Sequence, residues 1–387
     1  MRLTAVKWMD SVLGSIFIVM IKPAVFLLGK LLNRDHDTQV KGNLCFVKLL
    51  GGGSLVIALP AILGLKRRYP KASCTLITTP SVQSFSDSLG VFNRIIIIND
   101  RSFLRILFSG VNAIVRCFNA DTMIDLEVYS KLTTLFTTLT CARNRIGFFL
   151  GNEFWRKNLY THLMFYNRYA GSFVFYDQIA YLLDAEPTSV AATSRHLNAL
   201  IPGTTRNSTR WRICISAGCS QLGRERMLTP EQWCRLFSER PIDSGNTEVI
   251  FLGGIDDRPL STDIINRLSN DFESVIFLNL CGKMKLIESL ALLRSADEFW
   301  GIDSALLHYA RLFGVASLSL WGPTDPDTRL KPCPGLKETI RYQKIACSPC
   351  VHMAEKPPCS GNNICIQALF DPAVARRKNI SDVIGIH

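Results

Sequence analysis

The chain has 387 residues, 48% of them hydrophobic, with 13 cysteines and a formal net charge of +12. That length allows two ordinary domains, and the apolar share with no low-complexity stretch excludes a disordered chain. The basic balance suits a phosphorylated substrate or an anionic membrane surface. Only Lys66, Arg67 and Arg68 form a tight cluster, and no basic helix carries interleaved aromatics, so nucleic acid is not expected as a partner.

Residues 8–33 (WMDSVLGSIFIVMIKPAVFLLGKLLN) are very apolar, but Lys22 and Pro23 interrupt them. The unbroken run is about half of the roughly 20 residues a spanning helix needs, and no small-residue cleavage site follows. The expectation is an amphipathic helix lying in a membrane interface, anchored by Trp8 and flanking Lys and Arg residues. A helix packed on the protein itself is the plainer reading. Residues 34–42 are polar and read as a linker, so residues 1–42 form a membrane-associating helix and linker.

From Asn43 the chain alternates. LCFVKLL is a buried strand; Gly51, Gly52, Gly53 and Ser54 form a glycine turn; residues 55–69 are a helix with an early Pro60. Strands over 72–79, 94–98 and 122–127 alternate with helices over 81–89, 104–118 and 129–140. Such alternation predicts a mostly parallel sheet covered on both faces. Residues 143–170 are aromatic and irregular, and 175–183 are helical again. Residues 187–207 are polar and weakly periodic, which places a domain boundary there. The units are then 43–190 and 208–345, followed by a cysteine-containing tail over 346–387.

The second alternation opens with a strand over 211–216 ending at Ala217-Gly218. Thr229-Pro230-Glu231 starts a helix with Thr229 as N-cap and Pro at its first position. A strand over 248–252 ends at Gly253-Gly254, and a strand over 274–280 and a helix over 286–296 follow. Then comes FWGIDSALLHYARLFGVASLSLWGPTDP: a strand, Asp303 and Ser304 as cap residues, a helix stopped by Gly314, a second strand, and the break Gly322-Pro323-Thr324-Asp325-Pro326. A helix N-terminus at the carboxyl end of a parallel strand is a ready anion site. The whole reads as α/β, two Rossmann-like parallel-sheet halves facing one cleft.

GGGSLVIALPAILGLKRRYP after the first strand, IDLE at a strand end, SAGCS before an Arg and TPEQW, then FLGG, and above all DSALLHYARLFGV with LWGPTDP resemble glycosyltransferase family 9, the heptosyltransferases of lipopolysaccharide assembly. The resemblance runs from about residue 44 to the C-terminus. It implies a GT-B fold with an acceptor-binding N-terminal domain and a nucleotide-sugar-binding C-terminal domain. It also implies inverting transfer from an ADP-heptose-like donor to a lipid-linked glycan of the cell envelope, at the cytoplasmic face of the inner membrane. No cofactor is required for that chemistry. Matched onto this sequence, Gly218, Ser220, Asp303, Ser304, His308, Gly322, Pro323, Thr324 and Asp325 fall in donor-binding motifs. Ala305 stands where the family has Gly. Arg226 falls where many members carry Lys, a cation able to stabilise charge on the leaving diphosphate.

The departure is Ser54. The family carries Gly-Asp where this chain has Gly53-Ser54, and that Asp is the proposed general base. A hydroxyl cannot take a proton at neutral pH as a carboxylate can. Glu127, at a strand's carboxyl end, is then the candidate base or acceptor-orienting group, with Ser54 hydrogen-bonding the acceptor beside the loop Gly51–Gly53. Asp125 and Glu127 would equally serve as caps for the next helix. Residues 143–170 are the candidate acceptor-recognition segment. Two rival readings stay open: a catalytically impaired membrane protein that binds a nucleotide-sugar or lipid head, and a sugar-nucleotide epimerase of the same fold.

Nine cysteines are dispersed in apolar contexts as small buried hydrophobes. Cys347, Cys350, Cys359 and Cys365 gather near the C-terminus, with a CxxC at their head. A Cys₄ structural zinc is one reading, with His352 as an alternative ligand; reduced structural thiols or a disulfide are the others.

Overall fold

The computed structural model describes residues 3–151, 154–206, 209–351, 353, 357–359 and 362–375. They divide into two compact units, residues 1–170 with 174–189, and residues 171–173 with 190–387.

The first unit begins with α1 (Leu3–Leu32), followed by β1 (Leu44–Val47), α2 (Gly52–Arg68), β2 (Cys74–Thr78), α3 (Pro80–Leu89), β3 (Arg94–Ile97) and α4 (Phe103–Arg116). Then come β4 (Thr122–Asp125), α5 (Lys131–Leu139), β5 (Asn144–Phe149), β6 (His162–Phe165) and α6 (Ser172–Leu182). The six strands are all parallel, in the order β3-β2-β1-β4-β5-β6. Every residue of β1, β2 and β4 is buried, which is why these strands read as apolar runs. Cys45 and Val47 of β1, Ile77, Ile96 and Met123 pack with Ala113 and Phe136, so α4 and α5 cover one face of the sheet.

Two expectations are corrected here. Residues 143–170 are not irregular: β5 and β6 extend the sheet, and Arg156, fully buried between them and β4, serves the core. The glycine turn is also shorter than expected. Only Gly51 stands outside α2, at φ 77, where a side chain would be strained. Gly52, Gly53 and Ser54 are the first turn of the helix.

Lys22 and Pro23 do not interrupt α1, which runs continuously for 30 residues. Ile21 and Val25, on either side of the proline, pack beside buried Ile18, Leu159 and Tyr160, and that packing holds the helix through it. Asp10 fixes its beginning. Its carboxylate accepts from the Ser130 hydroxyl (2.6 Å) and from the backbone N–H of Lys131 (3.0 Å) and Leu132 (2.9 Å), so α1 caps α5. The segment Asp10–Leu32 is long and apolar enough to cross a membrane, and mostly unburied.

The second unit opens with α7 (Val190–Leu200), a helix where a structureless boundary was expected, which packs on the later α11. It continues with β7 (Trp211–Ser216), α8 (Pro230–Ser238), β8 (Thr247–Phe251), α9 (Arg258–Leu268), β9 (Ile276–Asn279), α10 (Leu286–Arg294), β10 (Glu298–Ile302) and α11 (Ala305–Phe313). It ends with β11 (Ala316–Trp321), α12 (Pro326–Arg329), β12 (Glu338–Tyr342), α13 (Ile364–Gln367) and α14 (Pro372–Ala375). Its sheet is again parallel, in the order β12-β11-β10-β7-β8-β9. Trp233, Phe237, Phe251 and Trp300 form its centre, and Cys365, Ile366 and Phe370 of the C-terminal segment pack into the same core. The Thr229 cap is a reciprocal one, with Gln232 reaching back to the Thr229 N–H.

Candidate active site

In the second unit the strand order reverses between β7 and β10, and ligands of open parallel sheets bind at the carboxyl ends beside such a reversal. Asp303 follows β10 there. Arg226, 77 residues earlier, reaches it: the guanidinium Nη1 donates to the Asp303 carbonyl (2.7 Å) and lies 3.1 Å from its Oδ2. The His308 ring Nε2, one turn into α11, lies 3.9 Å from the other carboxylate oxygen. All three side chains are nearly out of water. Burial alone would raise the Asp303 carboxyl; the charges of Arg226 and Arg329 outweigh it and hold the group at about 2. Burial, with Arg311, Arg329 and Arg226 nearby, pushes His308 down to about 4 against the pull of Asp303, so the imidazole is neutral at pH 7. Arg226 is therefore already paired, and its cationic field is shared with Asp303.

Ser304 occupies the N-cap of α11 without capping it, and its buried hydroxyl has no hydrogen-bond partner among the described residues. A free donor beside unpaired N–H groups at a helix start suits an anion. Gly322, Pro323 and Thr324 follow β11 and are buried. Their carbonyls are held from the C-terminal segment: Cys350 N–H and Val351 N–H donate to the Pro323 carbonyl (both 3.0 Å), and the Ser348 hydroxyl donates to that of Gly322. Asp325 caps α12, accepting from Asp327 N–H (3.0 Å).

Gly218 lies just past β7, and a Cβ there would stand 1.9 Å from the Asp257 carboxylate, so only glycine lets that group in. Asp257 accepts from Gly254 N–H (2.8 Å), and burial still raises its pKa. Ser220 lies exposed just beyond. Asp257 and Arg329 were not expected at the site from the sequence. The acidic pair after FLGG and the basic residue after GPTDP were the available signals.

The first unit reverses its strand order between β1 and β4. Glu127 follows β4, and one of its oxygens accepts from both Leu49 N–H (2.8 Å) and Leu50 N–H (2.9 Å). The other lies 3.2 Å from the Lys48 ammonium, which is more deeply buried still. Glu127 thus ties down the chain leading into Gly51. Burial pulls the Lys48 pKa down, but Glu127, together with Tyr176 and Asp125, more than offsets this and the group stays charged. Asp125 is more enclosed still: Arg156 (3.0 Å), Tyr160 (2.5 Å), Thr133 (2.8 Å) and Glu127 N–H (2.9 Å) all reach its carboxylate. Neither acid caps α5, a place held by Ser130 and Asp10. Ser54 is half-buried, with no side-chain partner among the described residues.

Cys347, Cys350, Cys359 and Cys365 lie near enough to affect one another's ionisation. Burial pushes Cys350 to about 11 and Cys365 to about 12, with the neighbouring thiols adding to it. No three metal-ligating side chains converge on a point among the described residues, and no disulfide joins these four. His352 lies outside the described residues.

Two parallel-sheet Rossmann-like units, each with its polar groups at a strand-order reversal, are the arrangement of the GT-B fold. Residues 183–360 match the family model for Glycosyltransferase family 9 (heptosyltransferase). No curated protein matches the sequence. Among solved structures, a family 9 glycosyl transferase of Veillonella parvula is 15% identical with a TM-score of 0.61, over 80% of this chain and 87% of that one. E. coli ADP-heptose lps heptosyltransferase II is 16% identical (TM-score 0.58, over 78% and 91%), and E. coli heptosyltransferase WaaC with ADP 17% (0.59, over 77% and 92%). At these identities the likeness is one of fold.

Proposed function

We propose that this glycosyltransferase moves a sugar, with a heptose as the first candidate, from a nucleotide-activated donor to a lipid-linked glycan acceptor of lipopolysaccharide or cell-envelope type at the cytoplasmic membrane face. The observation that carries the reading is the Arg226–Asp303–His308 cluster beside the free Ser304 hydroxyl at the start of α11. It supports a donor diphosphate seated on the second unit. WaaC has been solved with ADP and with ADP-2-deoxy-2-fluoro heptose, and that supports an ADP-sugar as the donor to try first.

In the proposed reaction the acceptor hydroxyl oxygen attacks the anomeric carbon as the bond from that carbon to the diphosphate oxygen breaks, inverting the centre. The bonding pair leaves with the diphosphate. Ser304, the α11 N-terminus and the Arg226 and Arg329 charges stabilise it. The hydroxyl proton passes to Glu127, with Gly51 and the start of α2 at Gly52, Gly53 and Ser54 orienting the acceptor. Neutral His308 donates or accepts a hydrogen bond without adding charge. The four C-terminal cysteines are proposed as a structural zinc site bracing the Gly322–Asp325 loop, with no part in the bond chemistry. The test is nucleoside diphosphate release across a panel of donors, with and without a lipid-linked glycan. Acceptor-dependent release from an ADP-sugar supports the reading. Tight donor binding with no release under any acceptor would instead favour a binding protein, the alternative that Ser54 raises.

A further inference from the structure

The outer side of α4 is apolar and exposed. The helix sends Ala113 into the core, with Ile106 and Ile114 against it. Leu104, Phe108, Val111, Val115 and Phe118 recur every three or four residues on the other side, and each is more than half exposed, Phe108 at 72%. A surface helix of a soluble unit carries polar groups on such a stripe. The charged residues within α4, Arg105 and Arg116, are both basic.

α4 also has an apolar neighbour. Both α4 and α1 pack on α5, and α1 exposes Trp8, Ile16, Met20, Leu27 and Leu31 in its turn. Both helices end at one cavity of about 610 Å³ beneath the amino ends of the strands. Arg34, just past α1, and Arg116 and Phe118, at the end of α4, line it with Lys41, Arg94 and Arg143. Its two carboxylates are committed, Asp121 to Arg143 (2.7 Å) and Asp35 to Lys41 (2.9 Å). Arg34, Arg94 and Arg116 pair with no carboxylate among the described residues.

We propose that α4 is a second membrane-contacting helix: its stripe enters the headgroup–acyl boundary of an anionic bilayer continuously with α1, and the cavity at their common end takes a lipid phosphate. Apolar area in the boundary and cations toward the headgroups are what interfacial binding requires. The proposal rests on the membrane-surface part of the reading above and is independent of its sugar chemistry.

Co-flotation of the full chain with neutral and phosphatidylglycerol-containing vesicles tests it. L104E/F108E alters exposed positions only, so unchanged circular dichroism is expected together with a drop of about tenfold or more in partition onto anionic vesicles. R94E/R116E is expected to abolish the preference for anionic over neutral vesicles. If wild type floats and L104E/F108E floats equally, the role of α4 is refuted while the membrane reading stands. If wild type floats with neither vesicle, both fail. If the stripe variant instead turns a dimer into a monomer in sedimentation with flotation unaltered, the stripe joins two copies and the proposal is wrong.

Discussion

Replacing Glu127 by glutamine separates two roles that the geometry allows. Glutamine keeps a carbonyl oxygen for the N–H groups of Leu49 and Leu50 but removes the charge facing Lys48, whose side chain is 8% exposed against 14% for Glu127. Stripping one partner from a buried pair costs about 3–5 kcal/mol. Residual exposure of Glu127 puts E127Q at the low end, about 3 kcal/mol, roughly a hundredfold shift in the folded population. Removing both charges in K48M/E127Q leaves no uncompensated ammonium and is expected to recover most of that loss. Urea denaturation of the four proteins of the cycle measures the coupling. Nucleoside diphosphate release on the same proteins measures the chemistry. If Glu127 takes the acceptor proton, the double variant is stable and at least about a hundredfold slow. If Glu127 only ties the chain into Gly51, stability and turnover recover together. Stability unchanged by E127Q alone would refute the pairing argument itself.

His308 gives a pH signature. Its folded value of about 4 lies below the ordinary 6.5, so the unfolded chain binds the proton first and stability rises with pH between the two. This contribution is complete above pH 6.5. About 2 kcal/mol of it is lost by pH 5, and H308Q should flatten that part of the profile in urea titrations. D303N leaves Arg226 buried without its carboxylate; a loss of about 3 kcal/mol in the second unit and weaker donor binding are expected, read by denaturation and calorimetry. About one zinc per chain on elemental analysis, lost together in C347S and C350S, supports the metal reading of the four thiols. Metal-free protein with full activity removes it.

The alternation of strands and helices was legible because the central parallel strands are buried on both faces and so read as apolar runs. The strands missed are all toward the edges. β5 begins Asn-Arg, β6 is mixed, and β12 reads Glu-Thr-Ile-Arg-Tyr, so none reads as a continuous apolar run. α7 was missed because its sequence, VAATSRHLNAL, carries few large apolar residues, and packing on α11 compensates for them. Asp303, Ser304 and His308 were legible because they are local to one strand–helix junction. What each of them touches was not. Arg226 meets Asp303 across 77 residues, and Glu127 meets the chain before Gly51 across 77 and 78, separations that periodicity does not register.

The same separations bear on Ser54. Asp125 spends its carboxylate on Arg156, Tyr160 and Thr133, and Glu127 spends its own on two N–H groups and Lys48. The acids closest in sequence to the β4 end are thus committed, whereas the Ser54 hydroxyl is not. Ser54 is the third residue of α2, where a carboxylate is favoured by the helix N-terminus and α2 has no acid in its first turn. S54D should therefore fold at least as well as wild type. It also supplies a carboxylate that, unlike that of Glu127, is not tied to a buried ammonium, and general-base catalysis contributes about 10²–10⁴ in rate. A rise in turnover of about tenfold or more in S54D, strongest near neutral pH and absent in S54N, would show that proton removal limits the reaction. Equal turnover of wild type, S54D and S54N would mean that the proton leaves by another route, with Glu127 released from Lys48 as the first to examine.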